Sequence, residues 1–280
     1  MSEINLKHFS TFNFADKKDK SENEDAIACK PGGDALRFSL SDGAGGVGVL
    51  SAEWAVFLVH AQPEKYHRED QHWKDWFLKT AEAFYEQINP QQNISDPLVL
   101  QKFFSEGSFA TLLYLWIDTK QNQLISLAIG DTCLFHFSFG NDENFILKKI
   151  YPLMHHRSLD DFPQLLNWNT LHPDWPAPYQ QKLEKQDIII CCTDALAKFF
   201  ISALFSGDPA IFNGLLPQEL LEDLESKKPT HAPLTPRGLM QLINELLDNP
   251  SEKEQIEILK RWVEQGLEED DYTISYYIHG

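Results

Sequence analysis

The sequence predicts an α+β protein built on antiparallel β-structure, with helices packed outside the strands. Three observations predict it. Residues 108–117, 123–130, 132–139 and 145–151 are four apolar runs in close succession, the pattern of an antiparallel meander, and the polar clusters at 118–122 and 140–144 supply turns between them. Upstream, 26–29 and 36–42 read as the two strands of a hairpin. Around these lie segments of helical periodicity at 51–62, 69–89 and beyond 195. The 280 residues suit one or two domains, and 1–280 reads as a single domain.

In order, 4–14 read as an irregular strand and the polar run 16–25 as a solvated loop. Along 36–42, apolar Leu36, Phe38 and Leu40 alternate with Arg37, Ser39 and Ser41, the period of a strand with one buried face. That strand ends on Asp42 and a glycine-rich turn, after which 51–62 reads as a helix. The helix at 69–89 carries Trp73, Trp76, Phe77, Ala81, Phe84, Tyr85 and Ile88 at three- and four-residue spacing, a core-packing stripe, and Asn89-Pro90 ends it. Residues 152–182 contain three prolines, Trp168, Trp175, His155, His156 and His172 with little periodicity, which reads as a flap. No helix gives the His155-His156 pair a metal-binding geometry. A strand at 187–193 runs into Asp194 and a helix over 195–205. Extra helices lie near 209–226, 236–248 and 251–265, and 272–278 is a last strand.

Lys plus Arg number 24 and Asp plus Glu 42, a net charge of −18. Such a chain repels nucleic acid and anionic membranes and attracts metal cations or basic partners. Cys29, Cys133, Cys191 and Cys192 lack metal-finger spacing and read as reduced thiols. With no apolar leader and no 18-residue apolar window, the expectation is a soluble, cytoplasmic protein.

Acids stand at four strand ends: Asp25, Asp42, Asp194 and Asp270. Asp42, with the Gly43 carbonyl beside it, has the form of a cation ligand pair. Two other readings compete. Asp42-Gly43 is also an ordinary turn, and Gly43, Gly45 and Gly48 fit G-x-G-x-x-G, the loop of a dinucleotide-binding oxidoreductase. Against the latter, Asp42 stands where pyrophosphate would lie, and like charges about 4 Å apart cost about 4 kcal/mol near a surface. Four converging carboxylates stay ionised together only around cations, and Mg²⁺ and Mn²⁺ choose carboxylate, carbonyl and water ligands. A metal pair about 3.5–4 Å apart activates water toward phosphorus without a protein nucleophile. That suits a chain with no G-x-S-x-G and no C-x₅-R.

Asn23-Glu24-Asp25-Ala26, Leu40-Ser41-Asp42-Gly43-Ala44-Gly45-Gly46, Ala128-Ile129-Gly130-Asp131-Thr132, Thr193-Asp194-Ala195-Leu196 and Asp270-Asp271-Tyr272-Thr273-Ile274 fall in that order across residues 20–278. Together they resemble the motifs of the metal-dependent type 2C serine/threonine protein phosphatases, in a bacterial-like form. The resemblance implies a four-layer α-β-β-α sandwich of antiparallel sheets with a binuclear Mn²⁺ or Mg²⁺ site. It gives Asp42 the bridging role, Gly43 a carbonyl ligand, and Asp194 and Asp270 the second metal. Asp25 is implied beside the cluster with Glu24, and Asp131 joins Asp194 in a third, weaker site. The implied reaction is hydrolysis of phosphoserine and phosphothreonine in proteins by a metal-activated water. The implied setting is signalling opposite a Ser/Thr kinase, as a monomer.

Four departures stand out. Lys20 replaces an arginine that grips phosphate, keeping the charge but losing the bidentate fork. Ala44 replaces a histidine found in many eukaryotic members, Ala195 a glycine, and Asp271 an asparagine, which adds charge beside the cluster. The departures at Lys20, Ala195 and Asp271 motivate an alternative: an inactive pseudophosphatase acting as a regulatory binding module.

Overall fold

The computed structural model describes residues 9–15, 23–32, 34–140, 144–153, 157–170, 175–227, 231–249 and 251–280. Its class is α+β, with antiparallel sheets flanked by helices. The strands are β1 (Phe9–Ala15), β2 (Asp25–Gly32), β3 (Ala35–Asp42), β4 (Phe109–Ala110), β5 (Leu112–Asp118), β6 (Gln123–Ile129), β7 (Cys133–Phe139), β8 (Phe145–Tyr151), β9 (Leu166–Asn167), β10 (Tyr179–Lys182), β11 (Ile188–Cys192) and β12 (Asp271–Ile278). The helices are α1 (Ser51–His60), α2 (Asp70–Ile88), α3 (Pro90–Asn93), α4 (Pro97–Ser105), α5 (Asp194–Gly207), α6 (Gln218–Lys227), α7 (Pro236–Leu247) and α8 (Glu252–Glu264). Two compact units divide them: 21–132 with 163–182, and 1–20 with 133–162 and 183–280.

The first unit holds a sheet of order β10-β6-β5-β3-β2 and the β4-β9 pair. β2 and β3 form the expected hairpin, with Asp25 opposite Asp42. Leu36, Phe38 and Leu40 are buried as their alternation requires, but Ser39 and Ser41 are buried too. α1 packs on β2 and β3. The small serines let it approach, and Ser39 Oγ donates to the Val59 carbonyl of that helix at 2.8 Å. The α2 stripe is core: Trp73, Phe77 and Phe84 are buried, and Trp54 lies 4.8 Å from Phe84 between ring centroids. Within 152–182, Trp168 stacks on Phe103 at 4.7 Å, and β10 pairs with β6. His155, His156 and His172 lie outside the described residues.

The second unit holds a sheet of order β1-β12-β11-β7-β8. β6 and β7 therefore sit in different sheets, which corrects the continuous meander expected over 108–151. The break comes at Gly130, whose φ of 101° turns the chain away after β6. The core gathers Phe135, Phe200 and Trp262 among α5, α7, α8 and the strands, with Phe199 stacked on Trp262 at 5.8 Å. The expected helix over 209–226 divides into a 3₁₀ turn, Pro209–Phe212, and α6, parted at Gly214 (φ 75°) and Pro217. None of the four cysteines is in a disulfide; Cys133, Cys191 and Cys192 are buried and Cys29 is half-buried. Among the described residues, no helix is long and apolar enough to cross a membrane.

A buried polar group sits far along these strands. His136 Nε2 lies 2.9 Å from Asp187 Oδ2 with neither side chain exposed, and Lys148 Nζ reaches Asp187 Oδ1 at 3.2 Å. Burial pushes the imidazole pKa of His136 down, against the opposing pull of Asp187, and burial lowers His279 likewise. Both bases bind protons more readily unfolded than folded. Their stability contribution is therefore present above the unfolded value of about 6.5 and is lost as pH falls from there through the folded values. Urea midpoints at fixed slope are expected to drop between pH 7 and pH 5.5, above the main carboxylate range. A flat profile would contradict this.

Candidate metal centre

In the first unit, one sheet end carries Asp25, Asp42 and Asp131. The cross-strand pairing puts the Asp25 and Asp42 side chains on the same face. Asp25 is buried, and its N–H donates to Asn23 Oδ1 at 2.8 Å. Asp42 is half-buried and its backbone is clamped by Thr111: the Asp42 N–H donates to Thr111 Oγ1 at 2.8 Å, and the Asp42 carbonyl accepts the Thr111 N–H at 2.8 Å. Ser41 Oγ donates to the Thr111 carbonyl at 2.6 Å, and the Thr111 and Thr132 hydroxyls share a 2.6 Å bond. Asp131 is thereby held between Gly130 and a pinned Thr132.

Gly43 is required by close backbone. A Cβ there would stand 2.8 Å from both the Glu24 and Ser51 carbonyl oxygens. Its N–H donates to the Glu24 carbonyl at 3.1 Å, and its own carbonyl accepts from Gly45 N–H at 3.0 Å, which leaves one lone pair. The Glu24 carboxylate fills the space over Gly45, where a Cβ would overlap it. β3 has antiparallel partners on both sides, so Gly43, Gly45 and Gly48 do not sit in a βαβ unit. That removes the structural context of a dinucleotide loop.

In the second unit, Asp194 opens α5 directly after β11. Its Oδ1 accepts the Ala195 N–H at 2.7 Å, and its Oδ2 lies 3.1 Å from Lys198 Nζ. Thr193 ties this end to β12: its N–H donates to the Thr273 carbonyl at 3.0 Å and its Oγ1 accepts the Thr273 N–H at 3.1 Å. Asp270 and Asp271 enter β12 at that same end, and Asp270 Oδ1 accepts the Asp271 N–H at 2.7 Å. Asp271 is buried.

Within either unit by itself, among the described residues, no three His, Cys, Asp or Glu side chains form a ready metal cluster. The candidate donors within each unit are nonetheless all oxygen: Asp25, Asp42, the Gly43 carbonyl and Asp131 in one, and, taken by themselves, Asp194 and Asp270 in the other. That chemistry fits a hard cation such as Mg²⁺ or Mn²⁺ and no thiophilic metal. Lys20 lies outside the described residues. Sequence reasoning missed Thr111, Thr132, Thr193 and Thr273, which fix the backbone of the acids, and Lys198, which pairs with one of them.

No family model matches the chain, and no curated protein matches its sequence. Solved structures do match along its length. The serine/threonine phosphatase of S. agalactiae is 14% identical with a TM-score of 0.52, covering 96% of this chain and 98% of that one. Serine/threonine phosphatase Stp1 from Staphylococcus aureus is 9% identical with a TM-score of 0.56, over 96% and 94%. A bacterial serine phosphatase is 10% identical with a TM-score of 0.56, over 97% of each chain. With antiparallel sheets, flanking helices and near-complete coverage in agreement, this chain has the fold of the bacterial type 2C serine/threonine phosphatases.

Proposed function

We propose that the protein is a metal-dependent phosphatase acting on phosphoserine and phosphothreonine in proteins that a Ser/Thr kinase has modified. The observation that carries this reading is the Asp25–Asp42 pair beside the Gly43 carbonyl, in a chain with the phosphatase fold. On the family resemblance, Asp25, Asp42, the Gly43 carbonyl and Asp131 in one unit, and Asp194 and Asp270 in the other, are each read as ligands for Mn²⁺ or Mg²⁺, with Glu24 and Asp271 adding charge within their own units. When bound, such ions lower the pKa of a water and neutralise phosphoryl charge. The chain's own part is to hold carboxylate oxygens and one carbonyl on rigid strand ends, so that little reorganisation accompanies reaction. The deciding experiment is hydrolysis of p-nitrophenyl phosphate and of phosphopeptides by chelated protein, with and without added Mn²⁺. Turnover that ignores Mn²⁺ sinks the reading.

A second reading, a phosphoprotein-binding module without turnover, draws on Lys198, whose ammonium already sits on one Asp194 oxygen. Metal binding with no hydrolysis of any phosphopeptide would favour it. Under the enzymatic reading Lys20 meets the phosphate as a point charge. Lys20→Arg restores a bidentate fork and is expected to lower KM several-fold at unchanged kcat. An unchanged or raised KM places Lys20 away from the substrate.

A further inference from the structure

We propose that Lys198 is a tethered cation that competes with divalent metal for Asp194, and so weakens the chain's hold on one ion of its centre. The inference rests on the metal-dependent reading above. Asp194 and Lys198 stand one helical turn apart at the start of α5, acid before base, the order in which such pairs attract best. Lys198 Nζ lies 3.1 Å from Asp194 Oδ2 and 3.7 Å from Glu268 Oε2. The two side chains of the pair keep only 18% and 23% of their exposure, so water and salt screen them less than a surface pair.

The geometry sets the two oxygens apart. Asp194 Oδ1 already accepts the Ala195 N–H and keeps one lone pair, while Oδ2 faces the ammonium, so a metal at Oδ2 competes with Lys198 directly and one at Oδ1 lies beside its charge. A divalent ion at Oδ2 must share it with the ammonium or displace it. Positive charges around one carboxylate repel, so either outcome costs affinity. The displaced side chain has somewhere to go. Lys198 lines a cavity of about 210 Å³ with Leu159, Phe199, Lys227 and Glu268. Glu268 stands there as a second partner. Lys227 does not contest it, being held by Asp160 at 2.7 Å, Asp223 at 2.9 Å and Ser158 Oγ at 2.8 Å. Lys198 thus moves between two carboxylates of its own unit according to whether metal is bound.

The test uses the full chain stripped of metal, with Mn²⁺ binding followed by calorimetric titration, a readout independent of turnover. Lys198→Met keeps the length of the stem and removes the charge. It is expected to tighten at least one Mn²⁺ site by about tenfold, while Lys198→Arg stays near the parent value. If Lys198→Met binds Mn²⁺ no tighter than the parent, while Asp42→Asn abolishes binding, the proposal is overturned and the metal-dependent reading stands. If neither parent nor Lys198→Met binds Mn²⁺, both fall together. Should Lys198→Met not fold, Glu268→Gln decides. Removing the second partner confines the ammonium to Asp194 and is expected to weaken Mn²⁺ binding; tighter binding overturns the proposal.

Discussion

An Asp42→Asn variant is expected to lose Mn²⁺-dependent hydrolysis by on the order of 10³-fold while its metal-free form becomes more stable. Asparagine keeps the shape and leaves the clamp intact, because the bonds from Asp42 to Thr111 run through its backbone. What it removes is one negative charge, opposite Asp25 on the same face of the hairpin. Like charges placed directly across a strand pair cost about 0.2–1 kcal/mol. Without metal, relieving that repulsion should raise the urea midpoint by an equivalent amount. The two readouts therefore move in opposite directions, which a purely structural role does not produce. Were Asp42 only a turn residue, the substitution would leave turnover in place, whatever it did to stability. Turnover assays and urea titrations on the same chelated preparation separate the two cases.

The acids were legible in the sequence because each stands where an apolar run begins or ends, Asp25 and Asp270 before one and Asp42 and Asp194 after one. The Asp25–Asp42 pairing follows from two short strands and the turn between them, all local. The sheet change at Gly130 was not legible. Four apolar runs in succession look alike whether the third stays beside the second or joins another sheet, and the deciding backbone angle leaves no pattern in neighbouring residues. β10 was missed for a different reason: Tyr179-Gln180-Gln181-Lys182 has no apolar alternation, as suits an edge strand held by backbone bonds to β6. Prolines misled as well. Asn89-Pro90 does end α2, through a left-handed Asn89, but Pro90 also starts α3, and Pro97 starts α4 behind an Asp96 side chain that accepts the Leu98 N–H at 2.8 Å. The threonine clamps had no signal at all. Thr111 meets Asp42 across 69 residues and Thr193 meets Thr273 across 80, and threonine at a strand end is otherwise unremarked β-propensity.

That hidden clamp supports the second large effect. Thr111→Val preserves volume and branching but deletes the hydroxyl that accepts the Asp42 N–H and bonds the Thr132 hydroxyl. The site is buried, so water does not replace the lost partner. Two polar groups left unmatched cost about 1–3 kcal/mol each, and a loss of about 2–4 kcal/mol in unfolding free energy is expected. Under the metal-dependent reading the Asp42 carboxylate also loses its fixed origin, and Mn²⁺ affinity should fall by about 10–100-fold, the usual cost of removing support behind a ligand. Thr111→Ser is the control. It retains the hydroxyl and drops the methyl against which Gly130 packs, where even a Cβ on Gly130 would come within 2.6 Å. Serine should therefore keep most of the metal affinity while losing about 1 kcal/mol of stability. If valine and serine weaken Mn²⁺ binding equally, the hydroxyl is not what aims Asp42, and packing at Gly130 carries that role instead.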